Sequence, residues 1–233
     1  RVFASERWQI DPEQVVFLPG RVKIGKVEIA FEDLVGEAYR ARVPLSATGF
    51  YATPKISWDK QQAKGRPFYY FAYGAAVTEV VIDTLTGENR LLRVDILHDV
   101  GKSLNPAIDL GQIEGGFVQG VGWLTTEELW WDKNGHLKTH APSTYKIPTL
   151  GDRAPDMRME IWGKGENAEP TIHRSKAVGE PPLMLAISAF MALSDAVSAS
   201  GNDQHYPGLD TPATPERVLA AVGRVRDLSE AAA

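Results

Sequence analysis

An α+β fold is predicted by three features of this 233-residue sequence. A stretch rich in aromatics and valine at 67–83 is folded back on 91–100 by a polar turn at 84–89, which reads as a β-hairpin. A helix is expected from Pro106 to about Thr125, with Asn105 as its N-cap and five glycines along it. A second, apolar helix is expected from Pro182 to Ser200. Antiparallel hairpins packed against several long helices are therefore expected.

Taken in order, residues 1–30 mix prolines and glycines with short β-branched runs. Val15-Val16-Phe17 and Val27-Glu28-Ile29 read as strands about a turn at Pro19-Gly20. Apolar residues at 31, 34, 35, 38 and 39 predict a helix from Phe31 to about Arg42, with Pro44 barring its continuation. Residues 46–67 read as loop. Phe50, Tyr51 and Trp58 there are taken as core or loop anchors before pocket residues. Residues 127–139 read as a hairpin about Asn134-Gly135, and the alternation of Met157, Met159 and Ile161 predicts a strand. After a polar linker, Thr214-Pro215-Glu216 opens a last helix, about 214–227, with 228–233 frayed.

A net charge of −5 without a basic run gives no sign of a nucleic-acid partner. No apolar run is read as reaching the ~18 residues a membrane helix needs, so no membrane is expected. The absence of cysteine excludes disulfides and cysteine-ligated iron–sulfur clusters from this chain and leaves the cytoplasm as the default location. The five histidines lack zinc-site spacing, so no metal ligand is expected from this chain. The chain begins at Arg1 without Met, as expected of a fragment or processed piece.

Chemistry concentrates in the stretch 176–186, KAVGEPPLMLA. Gly179 frees the backbone, the double proline suits a first helical turn, and Glu180 stands between them. The carboxylate either complements the helix dipole or is a base on a stiff elbow. Glu180 is the one acidic residue between 171 and 185, and apolar residues follow it, so dry surroundings are expected. The glycines of the 106–125 helix ask for close approach of another backbone or of a flat ligand. Gln112 and Gln119, seven apart, share a face with Gly115 and Gly116.

The segment SKAVGEPPL at 175–183 resembles the C-terminal signature of the molybdenum hydroxylases, most closely the molybdopterin-binding part of the xanthine dehydrogenase type. LSATGFYATP at 45–54, DVGKSLNPAIDLGQIEGGFVQGVG at 99–122 and PSTYKIP at 142–148 agree with it in the same order. The resemblance implies that residues 1–233 are the C-terminal part of the large molybdopterin-binding domain, with 99–122 and 175–200 facing the cofactor. It implies Glu180 as the catalytic base and Gln112 as a contact to the molybdopterin cofactor, with Val178 and Gly179 beside it. Molybdenum would be held by the pterin dithiolene.

By the same resemblance the reaction is hydroxylation of a purine, hypoxanthine or xanthine, with oxygen from water. Electrons would pass through 2Fe-2S clusters and FAD to NAD. The family's glycine-rich cofactor loops, its substrate-clamping Arg and Phe, and the iron–sulfur and flavin modules are not in this sequence. The rest of the molybdopterin-binding subunit and an iron–sulfur/FAD subunit or domain are therefore expected partners, the complete enzyme a dimer, and this chain alone inactive. The alternatives are an aldehyde oxidase-type hydroxylase acting on aldehydes or N-heterocycles, and a non-catalytic piece packing on the cofactor half.

Overall fold

A computed structural model describes residues 1–232. The chain divides into two compact units, Arg1–Pro54 and Lys55–Ala233.

The first unit is a small helix–sheet assembly. Helix α1 (Val2–Trp8) is followed by strands β1 (Val15–Leu18), β2 (Arg21–Ile24) and β3 (Val27–Ala30), then helix α2 (Phe31–Arg40). The strands form an antiparallel meander in the order β1-β2-β3. Val15, Val22 and Ile24 bury one side of it with Ala4 and Leu34. Helix α1 and strand β2 were not anticipated from the sequence. Only Ala4 of α1 is buried, so that helix carries little apolar periodicity to read. Helix α2 stops at Arg40, two residues short of the expected end near Arg42, as Arg42 turns to φ 61°.

The second unit holds a short exposed ribbon, β4 (Ser57–Asp59) with β5 (Lys64–Arg66), and a three-stranded sheet. Strands β6 (Gly74–Ile82) and β7 (Asn89–His98) form the predicted hairpin, with a bulge between Glu79 and Val80. The predicted strand at 67–73 is irregular instead. Gly74 pairs with His98, the last residue of β7, and beyond it the chain turns away at Gly101, so most of 67–73 has no ladder to join.

Helix α3 (Pro106–Thr125) begins as expected, with Asn105 Oδ1 accepting the Ile108 N–H at 3.4 Å. It is the crossover to strand β8 (Asp156–Ile161), which pairs with β7 in parallel. This adds a parallel pair to the antiparallel hairpins expected from the sequence. A parallel neighbour needs a long connection, and α3 supplies it. The expected hairpin at 127–139 shrinks to one bridge, Trp131 with Leu137, about a turn whose Asp132 carboxylate meets the backbone N–H groups of Asn134 and His136 and the side chains of His136 and Lys138. The His136 backbone N–H, followed by Lys138, holds the Asp132 carboxyl below the usual range.

The long apolar helix divides into a 3₁₀ segment (Pro181–Ala186) and helix α4 (Ile187–Ala199). Together they form a 19-residue apolar segment, long and apolar enough by composition to cross a membrane, and so longer than the sequence reading allowed. Its Pro182, Ala186, Ala189, Leu193 and Val197 are buried, a stripe of helical period. Ala186 and Ala189 join Val94, Ile96, Ile113 and Phe117 in one core cluster. Leu193 and Val197 join Val218, Val222 and Val225 of helix α5 in a second. Helix α5 (Pro215–Ala231) outruns the expected end at 227. Ser229 Oγ donates to Val225 O at 2.8 Å and also to Gly201 O, which holds the last turn. The expected fraying at Ala233 falls outside the described residues. Gly87, at φ 79°, is the point where the β6–β7 turn meets α5, since a Cβ there would stand 1.9 Å from Pro215 O.

Candidate active site

Helix α3 lies along the 3₁₀ segment so closely that two of its glycines are required. A Cβ on Gly120 would stand 2.4 Å from Leu183 O and 2.7 Å from Ala186 Cβ; one on Gly116 would stand 3.0 Å from Pro182 Cβ. The expected backbone approach is thus to residues 182–186. Gly111 and Gly115, one turn apart on the same helix, have nothing within 4 Å. Their side of α3 is open, and Gln112 and Gln119 are exposed.

Gln112 meets the elbow. Its Oε1 lies 3.7 Å from where a Gly179 Cβ would stand, although the two residues come from distant parts of the chain. Gly179 is exposed. Val178 is half-buried and packs its side chain on the core, which leaves its backbone as the part able to meet a ligand. Gln112, Val178, Gly179 and Glu180 therefore stand together. Gln119 is exposed two turns further along α3.

Glu180 is the N-cap of the 3₁₀ segment, with φ −97° and ψ −37°. Its side chain makes no capping hydrogen bond. Its carbonyl accepts the Leu183 N–H at 3.1 Å. The residue is exposed, which corrects the expectation of dry surroundings from this chain's own apolar residues. Those residues turn their buried stripe toward α3 and the sheet, away from the elbow's tip.

The elbow is tied to the end of β7. Gly101 bridges Ser175, Lys176 N donates to Val100 O at 2.8 Å, and Lys102 N donates to Arg174 O at 3.0 Å. Gly101 must be glycine for this, at φ 62° with its Cβ position 2.5 Å from Arg174 O. Upstream, buried Asn167 donates to Thr171 Oγ1 and Ser175 O, each at 3.2 Å. Glu169 accepts from Lys55 at 2.6 Å and Arg66 at 2.8 Å, and these bonds hold its carboxyl below the usual range.

Sequence reasoning gave no role to Asp99, Lys176 or Tyr70. Lys176 Nζ meets Asp99 Oδ2 at 2.5 Å, and the Tyr70 hydroxyl accepts the Ala177 N–H at 2.9 Å. Lys176 and Asp99 lie inside matched motifs, the only signal available.

His98 ends β7 beneath this junction. It is 1% exposed, and its Nδ1 has no hydrogen-bond partner within normal geometry among the described residues. Burial pushes its imidazolium below the ordinary range, with Asp99 opposing in part. The unfolded chain then takes up the proton first. Stability should be full above about pH 6.5 and decline as pH falls through that value. In pH-dependent unfolding, His98→Gln should flatten this slope; an unchanged slope would place its origin elsewhere.

Among the described residues, no group of three or more His, Asp or Glu is placed to hold a metal ion. Phe50, Tyr51 and Trp58, taken as anchors from sequence, are all at least half exposed.

Comparison with known proteins gives the site its context. Residues 1–154 match the molybdopterin cofactor-binding domain family. Xanthine dehydrogenase of Oryza sativa subsp. japonica is 49% identical over 203 residues, 82% of this chain and 15% of that protein. Xanthine dehydrogenase/oxidase of Mus musculus is 49% identical over 198 residues, with the same two shares. The chain thus spans about 15% of the length of these relatives. Among solved structures, quinoline 2-oxidoreductase from Pseudomonas putida 86 superposes with a TM-score of 0.61 at 26% identity, covering 94% of this chain and 27% of that one. Aldehyde oxidoreductase from Desulfovibrio gigas superposes with a TM-score of 0.60 at 26% identity, covering 81% and 20%. With that match over 154 of its 233 residues, and the α+β architecture those structures share, this chain belongs to the molybdopterin cofactor-binding domain family of the molybdenum hydroxylases.

Proposed function

We propose that this chain supplies the catalytic elbow of a xanthine dehydrogenase-type hydroxylase acting on hypoxanthine and xanthine. The observation that carries the reading is the meeting of Gln112 with Gly179, immediately before an exposed carboxylate that no described residue engages. The identity of 49% to the xanthine dehydrogenases of rice and mouse supports the purine substrate.

The residues present fit a molybdopterin cofactor. An open helix face at Gly111 and Gly115 would admit a flat ring system, and the Gln112 amide can both donate and accept there. The Val178 and Gly179 backbone would complete this edge. When bound, the cofactor supplies the two-electron oxidation. The balance is R–H plus water giving R–OH, two protons and two electrons. The Glu180 carboxylate takes the proton from the water-derived hydroxyl as its oxygen joins the electron-poor ring carbon. The 3₁₀ segment behind Glu180, packed on α3, fixes where that proton is taken.

The electrons leave for 2Fe-2S clusters, FAD and finally NAD. All of these, with the substrate-clamping Arg and Phe, are assigned to the remainder of a dimeric, cytoplasmic enzyme. The structural likeness to the D. gigas aldehyde oxidoreductase favours a second reading, an aldehyde hydroxylase. Steady-state assays of the full-length protein separate the two. Hypoxanthine and xanthine should be oxidised with a kcat/KM at least about tenfold above that for aromatic aldehydes. Preference for aldehydes would establish the second reading. Purified protein that holds no molybdenum would make this chain a structural piece.

A further inference from the structure

We propose that Asp99, Lys176 and Tyr70 form a clamp whose task is to position the Glu180 carboxylate. The inference rests on the reading of Glu180 as the base.

Lys176 is nearly buried, with 8% of its side chain accessible, against 16% for Asp99. Lysine is rarely buried without a partner, and here Nζ lies 2.5 Å from Asp99 Oδ2 and 5.1 Å from the Tyr73 ring centroid. The second Asp99 oxygen accepts the Gly101 N–H at 2.7 Å. One carboxylate thus joins the strand end, the Gly101 turn and the elbow. Lys176 is also held through its backbone N–H to Val100 O at 2.8 Å. Its neighbour Ala177 donates its N–H to the Tyr70 hydroxyl at 2.9 Å.

Two consecutive residues are therefore held by side chains from the segments that flank the β6–β7 hairpin, Tyr70 before it and Asp99 after it. Three peptide steps later comes Glu180, at most about 11 Å of chain away. On its far side Pro182 and Leu183 pack on Gly116 and Gly120. The carboxylate stands on a short arc fastened at both ends, and the residues between have no freedom to drift far.

Fold stability alone is a poor account of this pair. Desolvating two charges offsets most of what their attraction returns, and an apolar pair of similar shape often serves the fold as well. What an ion pair adds is a single register, since the nearly buried Lys176 Nζ is directed at Asp99 Oδ2. A base that must meet its proton within hydrogen-bond distance needs that register.

The test uses the full-length holoenzyme with Tyr70→Phe, Lys176→Met, Asp99→Asn, the Lys176→Met/Asp99→Asn double variant and Glu180→Gln. Melting temperature, molybdenum content, kcat, KM and deuterium exchange of the peptide 176–186 are read for each. Tyr70→Phe keeps the ring and removes only the accepting oxygen. It should speed exchange in that peptide and lower kcat by roughly 10- to 100-fold, the loss expected of a misplacement of about 1 Å. Molybdenum content and KM should hold. Each single charge variant should lower melting temperature and kcat together. The double variant should regain melting temperature while kcat stays low, which a merely structural pair would not show. Recovery of kcat along with melting temperature, or wild-type kcat in Tyr70→Phe despite faster exchange, overturns the clamp. If Glu180→Gln itself turns over normally, the base assignment falls and the clamp with it. If Glu180→Gln is inactive while the clamp variants are not, the clamp alone falls.

Discussion

Glu180→Gln in the full-length enzyme should lower kcat by about 10²- to 10⁴-fold, the range for loss of a positioned proton acceptor. Bound molybdenum and pterin should stay constant, and so should the melting temperature. Glutamine keeps the shape and loses the basicity. The native carboxylate makes no capping hydrogen bond and no ion pair among the described residues, so little in the fold depends on its charge. Because the interaction belongs to the transition state, kcat should fall while KM stays near its native value. A decline in activity that only tracks lost cofactor would return Glu180 to the role of a dipole-complementing residue. A decline of less than about tenfold would place the base on another residue.

Gly120→Ala should destabilise the protein and disturb the same site from behind. The new Cβ would be 2.4 Å from a backbone oxygen of the 3₁₀ segment, and backbone cannot step aside as a flexible side chain does. Overpacking of this kind typically costs about 1–3 kcal/mol. The displaced residues, Leu183 to Ala186, begin three positions after Glu180, so turnover should fall with stability. Gly115→Ala is the matched control one turn earlier. Nothing lies within 4 Å of its Cβ position. A helix-interior alanine is favoured over glycine by about 1 kcal/mol, so the melting temperature should hold or rise. If the open face receives the cofactor, Gly115→Ala should still reduce bound molybdopterin, measured as released pterin per protein. Undiminished pterin in a stable Gly115→Ala protein would move the cofactor off that face.

The sequence carried the class of the fold and the place of the site further than it carried the connections. Asn105 with Pro106, and Thr214 with Pro215, marked helix starts that the structure keeps, because a cap acts within one turn and can be read locally. Residues 67–73 looked like strand by composition and are not, since strand depends on a partner whose end lies at His98. The parallel pairing of β8 was illegible for the same reason. Its Met157, Met159 and Ile161 state that one face is buried and say nothing of the neighbour's direction. At the candidate site, Glu180 and Gln112 were put forward by motif and the fold brings Gln112 beside the residue preceding Glu180, but the dry environment expected of Glu180 does not come from this chain. The apolar residues beside it in sequence face α3 instead, a matter of helical phase that local composition does not reveal. Lys176 and Asp99 were inside the motifs and still unassigned, because nothing local announces that residues 77 apart will meet.

That separation has a consequence in time. At a synthesis rate of about 5–20 residues per second, Asp99 leaves the ribosome roughly 4–15 s before its lysine. The glycine-lined side of α3 emerges before the prolines and leucine that fill it. For those seconds the nascent chain carries an unpartnered carboxylate and an unfilled helix groove. Slowing translation between the codons for residues 125 and 176 would lengthen that interval.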